Sequence, residues 1–282
     1  MNTDFIEAQL MAWPEANARY LDLARCERRP FKAGDMQGYI QFNPARKVST
    51  GAATDARSIA ARPCFLCDCN RPAVQQAIPL DGSWQLLLNP FPIFPVHFTI
   101  SSRTHIPQER PPLEMVTFAE RMPDLCIFFN GARAGASAPD HAHMQAVLSD
   151  ELPLLRLVER AHPRGGSPYL HSDDSGLDLP FSWHSAIVTP DSDGMKLMAL
   201  MLQGGDRIGI DYADSNVYAW SREGLIRLLV VPRDAHRPEC YPGVMVSPGA
   251  VDMAGIIITP RREDFERLDD ALIEKIYREC GH

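Results

Sequence analysis

The chain is 282 residues long, ordinary in composition for a globular protein, with a formal net charge of −8. That length buries a sizeable core and suits one large domain or two similar halves, while the negative charge argues against a broad nucleic-acid surface, which needs clustered Lys and Arg. Neither end carries an apolar run long enough to span a bilayer, and Met1-Asn2-Thr3-Asp4 lacks the basic start and apolar core of a secretory signal. A cytoplasmic protein with reduced thiols, no membrane contact and no nucleic-acid partner is therefore expected. The seven cysteines fit this, since their number is odd and three crowd into Cys64-Phe65-Leu66-Cys67-Asp68-Cys69, a pattern closer to a metal site than to a disulfide framework.

Residues 4–13 read as a short helix, with Asp4 and Glu7 in capping-box positions ahead of Leu10 and Met11. Residues 38–42 read as a strand stopped by Asn43-Pro44, followed by a polar, small-residue loop over 47–61. Cys64 and Cys67 then stand three residues apart, a spacing that lets both thiolates bind one Zn²⁺ at about 2.3 Å each. His105 and His141 are the expected remaining ligands, with Cys69 as substitute; a redox pair or two unrelated buried cysteines are the competing readings. Two runs rich in β-formers, 84–92 and 96–102, flank a Pro-rich turn and read as adjacent antiparallel strands. Leu113, Val116 and Phe118 predict a helix over 111–122, and a strand follows over 124–129. Between His162 and Pro180 the composition turns to Pro, Gly, Ser and Asp, which marks a boundary between halves or a long loop over a site. Beyond it, the pattern predicts strands over 183–189, 215–220, 225–231 and 255–259 and a helix over 195–202. An amphipathic helix over 269–279 runs through Leu272, Ile273, Ile276 and Tyr277. Laying 98–107 on 229–238 keeps an apolar run, a His and a Pro in register, a weak internal repeat.

The most informative stretch is 129–148. From His141 onward it alternates, so as a strand it sets His141, His143, Gln145 and Val147 on one side and Ala142, Met144, Ala146 and Leu148 on the other. One face packs and the other presents imidazoles. Upstream, Gly131, Gly135 and Ser137 make a small-residue loop whose backbone N–H groups can approach an anion closely. Imidazole beside such a cradle suits chemistry at phosphorus. Two other readings of His141 and His143 compete: satisfied core residues, or ligands of a catalytic metal in a β-barrel oxidoreductase or hydrolase.

With these motifs, the chain resembles the histidine-triad superfamily, in the branch of galactose-1-phosphate uridylyltransferases, diadenosine tetraphosphate phosphorylases and GDP-hexose phosphorylases. The resemblance rests on Gly135-Ala136-Ser137 followed by His141-x-His143-x-Gln145. Here the spacer Ala138-Pro139-Asp140 is one residue longer than the two usual in the uridylyltransferases. The resemblance implies an α+β fold, a histidine-triad-like antiparallel sheet flanked by helices, in two related halves: 1–160, carrying catalysis and the Cys-x-x-Cys, and 181–282, completing sheet and pocket, with 161–180 as linker or loop. It implies a nucleotidyltransferase or phosphorylase in which His143 forms a covalent nucleoside-monophosphate adduct, with Ser137 and Gln145 on the α-phosphate. Asn89 and Phe91 match the segment that holds base and ribose. Cys64, Cys67, His105 and His141 sit where some members bind structural zinc. Histidine-triad hydrolases carry a third His at the Gln145 position; Gln neither lends nor takes a proton, so the adduct awaits phosphate or a sugar phosphate as acceptor. Asn130, Gly131, Arg133 and Gly135 are the expected substrate contacts near the loop, and Arg71, Arg103, Arg133 and Arg233 the candidates for binding the anionic acceptor. The alternative is a nucleotide or sugar-nucleotide sensor that binds without turnover. A homodimer paired through an edge strand is compatible with the pattern.

Overall fold

Alternation along the central strands sorts the molecule into layers. The computed structural model describes residues 3–47, 56–204 and 209–282. Its strands are β1 (Glu27–Ala33), β2 (Met36–Phe42), β3 (Ala77–Pro79), β4 (Trp84–Leu88), β5 (His97–Ser102), β6 (Leu125–Asn130), β7 (His143–Leu148), β8 (Tyr169–His171), β9 (His184–Val188), β10 (Ser215–Arg222), β11 (Leu225–Pro232) and β12 (Ile256–Thr259). Nine form one antiparallel sheet in the order β3-β4-β5-β7-β6-β10-β11-β9-β8, and β1-β2-β12 form a small sheet with β12 parallel to β2. Leu125, Ile127 and Phe129 of β6 join Val217 and Ala219 of β10 in one core, with Met115, Val116 and Phe118 from the helix Glu114–Arg121 and Met198 and Leu202 from the helix Ser192–Gln203. Cys126, Phe128, Tyr218 and Trp220 point the other way, into a second core with Phe31, Met36, Ile40 and Ile256 from the small sheet. Period-two alternation gives the large sheet two apolar faces, so both must be covered.

The fold is thus α+β, an antiparallel sheet flanked by helices, and its strand order repeats: β4-β5-β7-β6 on one side meets β10-β11-β9-β8 on the other. In the first set a helix (Glu114–Arg121) lies between β5 and β6; in the second a helix (Ser192–Gln203) lies between β9 and β10. By this order β5 corresponds to β9 and β7 to β11, so the expected match of 98–107 with 229–238 pairs strands that are not equivalent; it reflects the common strand-then-turn pattern. The sheet is open, ending in β3 and β8, and does not form the β-barrel of the metalloenzyme reading.

Several elements differ from their sequence signatures for local reasons. Pro111 and Pro112 stay outside the helix expected from 111, which starts at Glu114. Of the loop expected over 47–61, residues 48–55 lie outside the described residues, and Ala56–Ala60 is a helix. The helices Pro14–Leu23 and Pro153–Ala161 and the strand β1 had no clear signature, although Pro at the first helical turn marks both helices. Residues 161–180 include the edge strand β8.

Candidate active site

His143 opens β7, and Gln145 follows on the same face. Met144 and Ala146 anchor β7 in the helix-side core, Val147 packs in the opposite one, and His143 and Gln145 line a cavity of about 870 Å³. From the residues chosen on sequence, the cavity gathers Asn89, Phe91, Asn130, Gly135, Ser137, His143 and Gln145. The His143 ring is fixed: Nδ1 donates to the backbone carbonyl of His141 at 2.8 Å, which leaves the lone pair on Nε2. Burial pushes its pKa down to about 4, with the His141 carbonyl opposing, so the ring is neutral at physiological pH. Gln108, which sequence reasoning passed over, holds the backbone here: its Oε1 accepts from the His143 N–H at 2.7 Å, and its amide donates to the carbonyls of His143 and Asn130 at 2.8 and 2.9 Å.

Gln145 is oriented by a second unforeseen residue, His97 on β5. The Ile93 N–H donates to His97 Nδ1 at 3.1 Å, so Nε2 carries the proton and donates to Gln145 Oε1 at 2.7 Å. Asn89 donates to the same oxygen at 3.4 Å. With its carbonyl engaged twice, Gln145 turns its NH₂ to the remaining side, as a donor. The signal was present in the alternation of β5, where Thr99 lies opposite Gln145 and His97 shares its face. Asn89 Oδ1 also accepts from the Phe91 N–H at 2.9 Å, and the Arg19 guanidinium lies 4.4 Å from the centre of the Phe91 ring.

The loop between β6 and β7 is clamped on both sides. Asn130 Oδ1 accepts from Asn216 Nδ2 at 3.0 Å and from the Ala250 N–H at 2.7 Å. Gly131 has a packing role: a Cβ there would lie 2.3 Å from the Tyr212 carbonyl oxygen, and the residue is not among those lining the cavity. Gly135 has φ +98°, and a Cβ on it would meet Gly249 Cα at 2.9 Å. Arg62 donates to the Ser137 carbonyl at 2.9 Å.

Cys64, Cys67, His105 and His141 converge, their donor atoms all within 4.8 Å of one another. Cys64 Sγ lies 3.3 Å and Cys67 Sγ 3.6 Å from His141 Nδ1, and Cys67 Sγ lies 3.1 Å from His105 Nδ1. A tetrahedral ion with bonds of about 2.0–2.3 Å separates sulfur from nitrogen ligands by about 3.5 Å, so the donor set fits a metal ion. His141 Nε2 donates to the Ser102 carbonyl at 2.8 Å, which turns the Nδ1 lone pair toward the sulfurs. The longer spacer before His141 therefore keeps it with the cysteines, and Cys69 is not part of the group. His141 and His143 do not converge on a common ligand, contrary to the metalloenzyme reading: one faces the thiols, the other the cavity.

The arginines chosen on sequence lie elsewhere. Arg71 pairs with Asp68 at 2.6 Å, Arg103 is exposed, and Arg133 pairs with Asp211 and Asp214 at 2.6 Å each. Arg233 is buried and donates to Asn216 Oδ1 and to the carbonyls of Cys280, Pro248 and Ala235. None of the four lines the cavity; Arg19, Arg46 and Arg237 do. These three are far apart in the chain, and no local pattern distinguishes them.

A family model described as a domain of unknown function (DUF4922) matches residues 5–148, half of the chain. No curated protein matches the chain in sequence. Among solved structures it is similar to yeast Ap4A phosphorylase Apa2 in complex with AMP, at 18% identity over 97% of this chain and 96% of that one, with a TM-score of 0.62. The same enzyme in complex with Ap4A gives 17% identity over 95% and 96%, with a TM-score of 0.62. A further structure of it gives 18% identity over 96% and 94%, with a TM-score of 0.60. The chain thus belongs to the family described as DUF4922, and its fold is that of yeast Ap4A phosphorylase Apa2.

Proposed function

We propose that this chain is a nucleotidyltransferase or phosphorylase that cleaves a dinucleoside polyphosphate or a nucleoside diphosphate sugar through a covalent His143–nucleoside monophosphate intermediate. The observation that carries the reading is the His143 ring, neutral, buried and held by the His141 carbonyl so that Nε2 carries the free lone pair beside Ser137 and Gln145. Such a nitrogen is a good nucleophile near neutral pH. As Nε2 attacks the α-phosphorus, charge grows on the non-bridging oxygens, where the Gln145 amide, the Ser137 hydroxyl and the loop amides can donate; one such donor is worth about 3 kcal/mol at a comparable oxyanion site. Gln145, its carbonyl tied to His97, has no proton to exchange with water, which favours phosphate or a sugar phosphate as acceptor. The neighbours are an Ap4A phosphorylase with AMP or Ap4A in complex, which supports a nucleotide donor.

Zinc is the metal the two thiolates and two imidazoles suit best; when bound it would tie residues 64–67 to 105 and 141. Thiolate ligands suit a reducing, cytoplasmic setting. Among the described residues no helix is long and apolar enough to cross a membrane. Pairing of two chains through an edge strand, β3 or β8, is compatible with the open sheet.

The test is intact-protein mass spectrometry after brief incubation with diadenosine tetraphosphate, GDP-glucose and UDP-glucose separately. The expected outcome is a mass gain of one nucleoside monophosphate with one donor, absent in His143→Ala. Ligand binding that survives His143→Ala, with no adduct from any donor, would instead establish the sensor.

A further inference from the structure

We propose that Tyr20, on the helix Pro14–Leu23, is a positioning residue for Gln145: its hydroxyl closes the β4–β5 connection whose two ends hold the Gln145 carbonyl. This deepens the transferase reading above and rests on it. The connection runs from Asn89 to His97 and contains Pro90, Pro92 and Pro95. Its first and last residues both donate to Gln145 Oε1, Asn89 Nδ2 at 3.4 Å and His97 Nε2 at 2.7 Å. The direction of the Gln145 amide is therefore only as fixed as these two residues are relative to each other.

Inside the connection the bonds are local. The Asn89 N–H donates to the His97 carbonyl at 3.0 Å, Asn89 Oδ1 accepts from the Phe91 N–H at 2.9 Å, and His97 Nδ1 accepts from the Ile93 N–H at 3.1 Å. Tyr20 ties the two ends from outside. Its hydroxyl lies 3.2 Å from the Asn89 carbonyl oxygen and 3.1 Å from the His97 carbonyl oxygen, so one O–H proton is shared between them. The adjacent Arg19 donates to the Pro90 carbonyl at 3.2 Å and lies over the Phe91 ring, on the same connection.

Helical spacing brings Tyr20 to this place. Trp13, Ala16 and Tyr20 fall three and four residues apart on one face, with Trp13 and Ala16 buried and Tyr20 packed against the helix-side core. The preceding helix, Thr3–Ala12, anchors the pair. Phe5 stacks on Phe98 of β5 with ring centres 6.4 Å apart, while Gln9 donates to the Val74 carbonyl at 3.2 Å and accepts from the Gln76 N–H at 2.8 Å. The two helices thus brace the connection against the sheet. Orientation matters because a flipped Gln145 would turn its carbonyl oxygen toward the charge that grows on the phosphate oxygens, an acceptor facing an acceptor. The loss is largest in the transition state, where that charge is greatest. Burial raises the Tyr20 pKa, so the hydroxyl stays protonated and remains a donor.

Exchange of the His97 Nε2 proton with water tests the hold without any substrate; it is followed by nuclear magnetic resonance on the isotope-labelled whole protein and assigned by its loss in His97→Gln. Tyr20→Phe is compared with Tyr212→Phe, which removes a tyrosine hydroxyl bonded to the Met201 carbonyl in the same core and leaves the connection intact. Both variants are checked for native circular dichroism. We expect the proton to exchange about five- to ten-fold faster in Tyr20→Phe and at the wild-type rate in Tyr212→Phe. With the donor found in the adduct experiment, adduct formation at saturating donor is expected to slow about ten-fold in Tyr20→Phe, the half-maximal donor concentration staying within about two-fold of wild type. An unchanged exchange rate in Tyr20→Phe, an equal acceleration in Tyr212→Phe, or a change confined to the half-maximal concentration would overturn the assignment. Faster exchange in Tyr20→Phe alone, with no adduct in wild type from any donor, would remove the transferase reading and leave Tyr20 holding Gln145.

Discussion

His97 and Gln145 form a pair in which donor and acceptor are fixed by the surrounding backbone. The Ile93 N–H occupies His97 Nδ1, so only Nε2–H can reach Gln145, and the Gln145 amide cannot flip without losing two bonds to its carbonyl oxygen. This arrangement needs a neutral His97. Burial holds it so, pushing its pKa from the usual 6.5 down to about 3, with Arg46 adding to the effect and the Gln145 bond opposing it. The sign of the pH effect follows. Above 6.5 neither folded nor unfolded chain protonates His97; below it the unfolded chain does and the folded one does not, so stability falls as pH drops through 6.5 toward 3. One such group contributes a slope of about 1.4 kcal/mol per pH unit over that window. Urea unfolding at a series of pH values is expected to give a shallower acid slope in His97→Gln than in wild type, by about that amount. An unchanged slope would mean that His97 charges in the folded protein.

At the scale of elements, the informative contrast is between two connections. β6 and β7 are joined by residues 131–142, which carry Gly135, Ser137 and His141; the equivalent strands β10 and β11 are joined by Glu223 and Gly224 alone, both with positive φ. That two-residue turn matches the twist of its strands and leaves no room for a phosphate cradle. The His143 and Gln145 pair that lines the cavity therefore follows the long connection of the first half alone, while the second half contributes Ser247, Gly249 and Ala250 to the cavity wall. The long connection is held at its far end by His141, whose ring faces the thiols while its carbonyl holds the His143 ring. A metal held by these four residues would thus bear on the position of His143 through His141 alone. Elemental analysis of protein purified without chelator is expected to find near-stoichiometric zinc, lost in Cys64→Ser together with a lower Tm. Protein without zinc would reduce the four residues to packing.

Across the whole molecule, the halves meet at β6 and β10 inside one sheet, and both cores run across that seam. Asn216 crosses it with side-chain bonds: Nδ2 donates to Asn130 Oδ1 and to the Ala134 carbonyl, and Oδ1 accepts from Arg233. Its removal takes the side-chain partner from the Ala134 carbonyl and one bond each from Asn130 Oδ1 and Arg233, which keep the Ala250 N–H and the Pro248 carbonyl, at about 1 kcal/mol or more per lost buried bond. Asn216→Ala is expected to lose about 3 kcal/mol or more. Tryptophan fluorescence and far-ultraviolet circular dichroism should still report one coincident unfolding transition, because neither half keeps a closed core alone. Two separate transitions would show that the halves fold independently.

The sequence by itself determined what depends on near neighbours in the chain. Period-two alternation put His143 and Gln145 on one face of a strand, Cys64 and Cys67 stood at a spacing that suits one metal ion, and the glycine loop lay just ahead of His143. The tertiary structure decided what depends on separate segments meeting. It assigned His97 to Gln145, Gln108 to the His143 backbone and Arg237 to Ser247, and it turned Arg133 and Arg233 to carboxylates and backbone carbonyls outside the cavity. The physical reason is range: strand geometry and ligand spacing act over a few residues, whereas the partners of a long polar side chain are fixed by packing between strands and loops far apart in the chain.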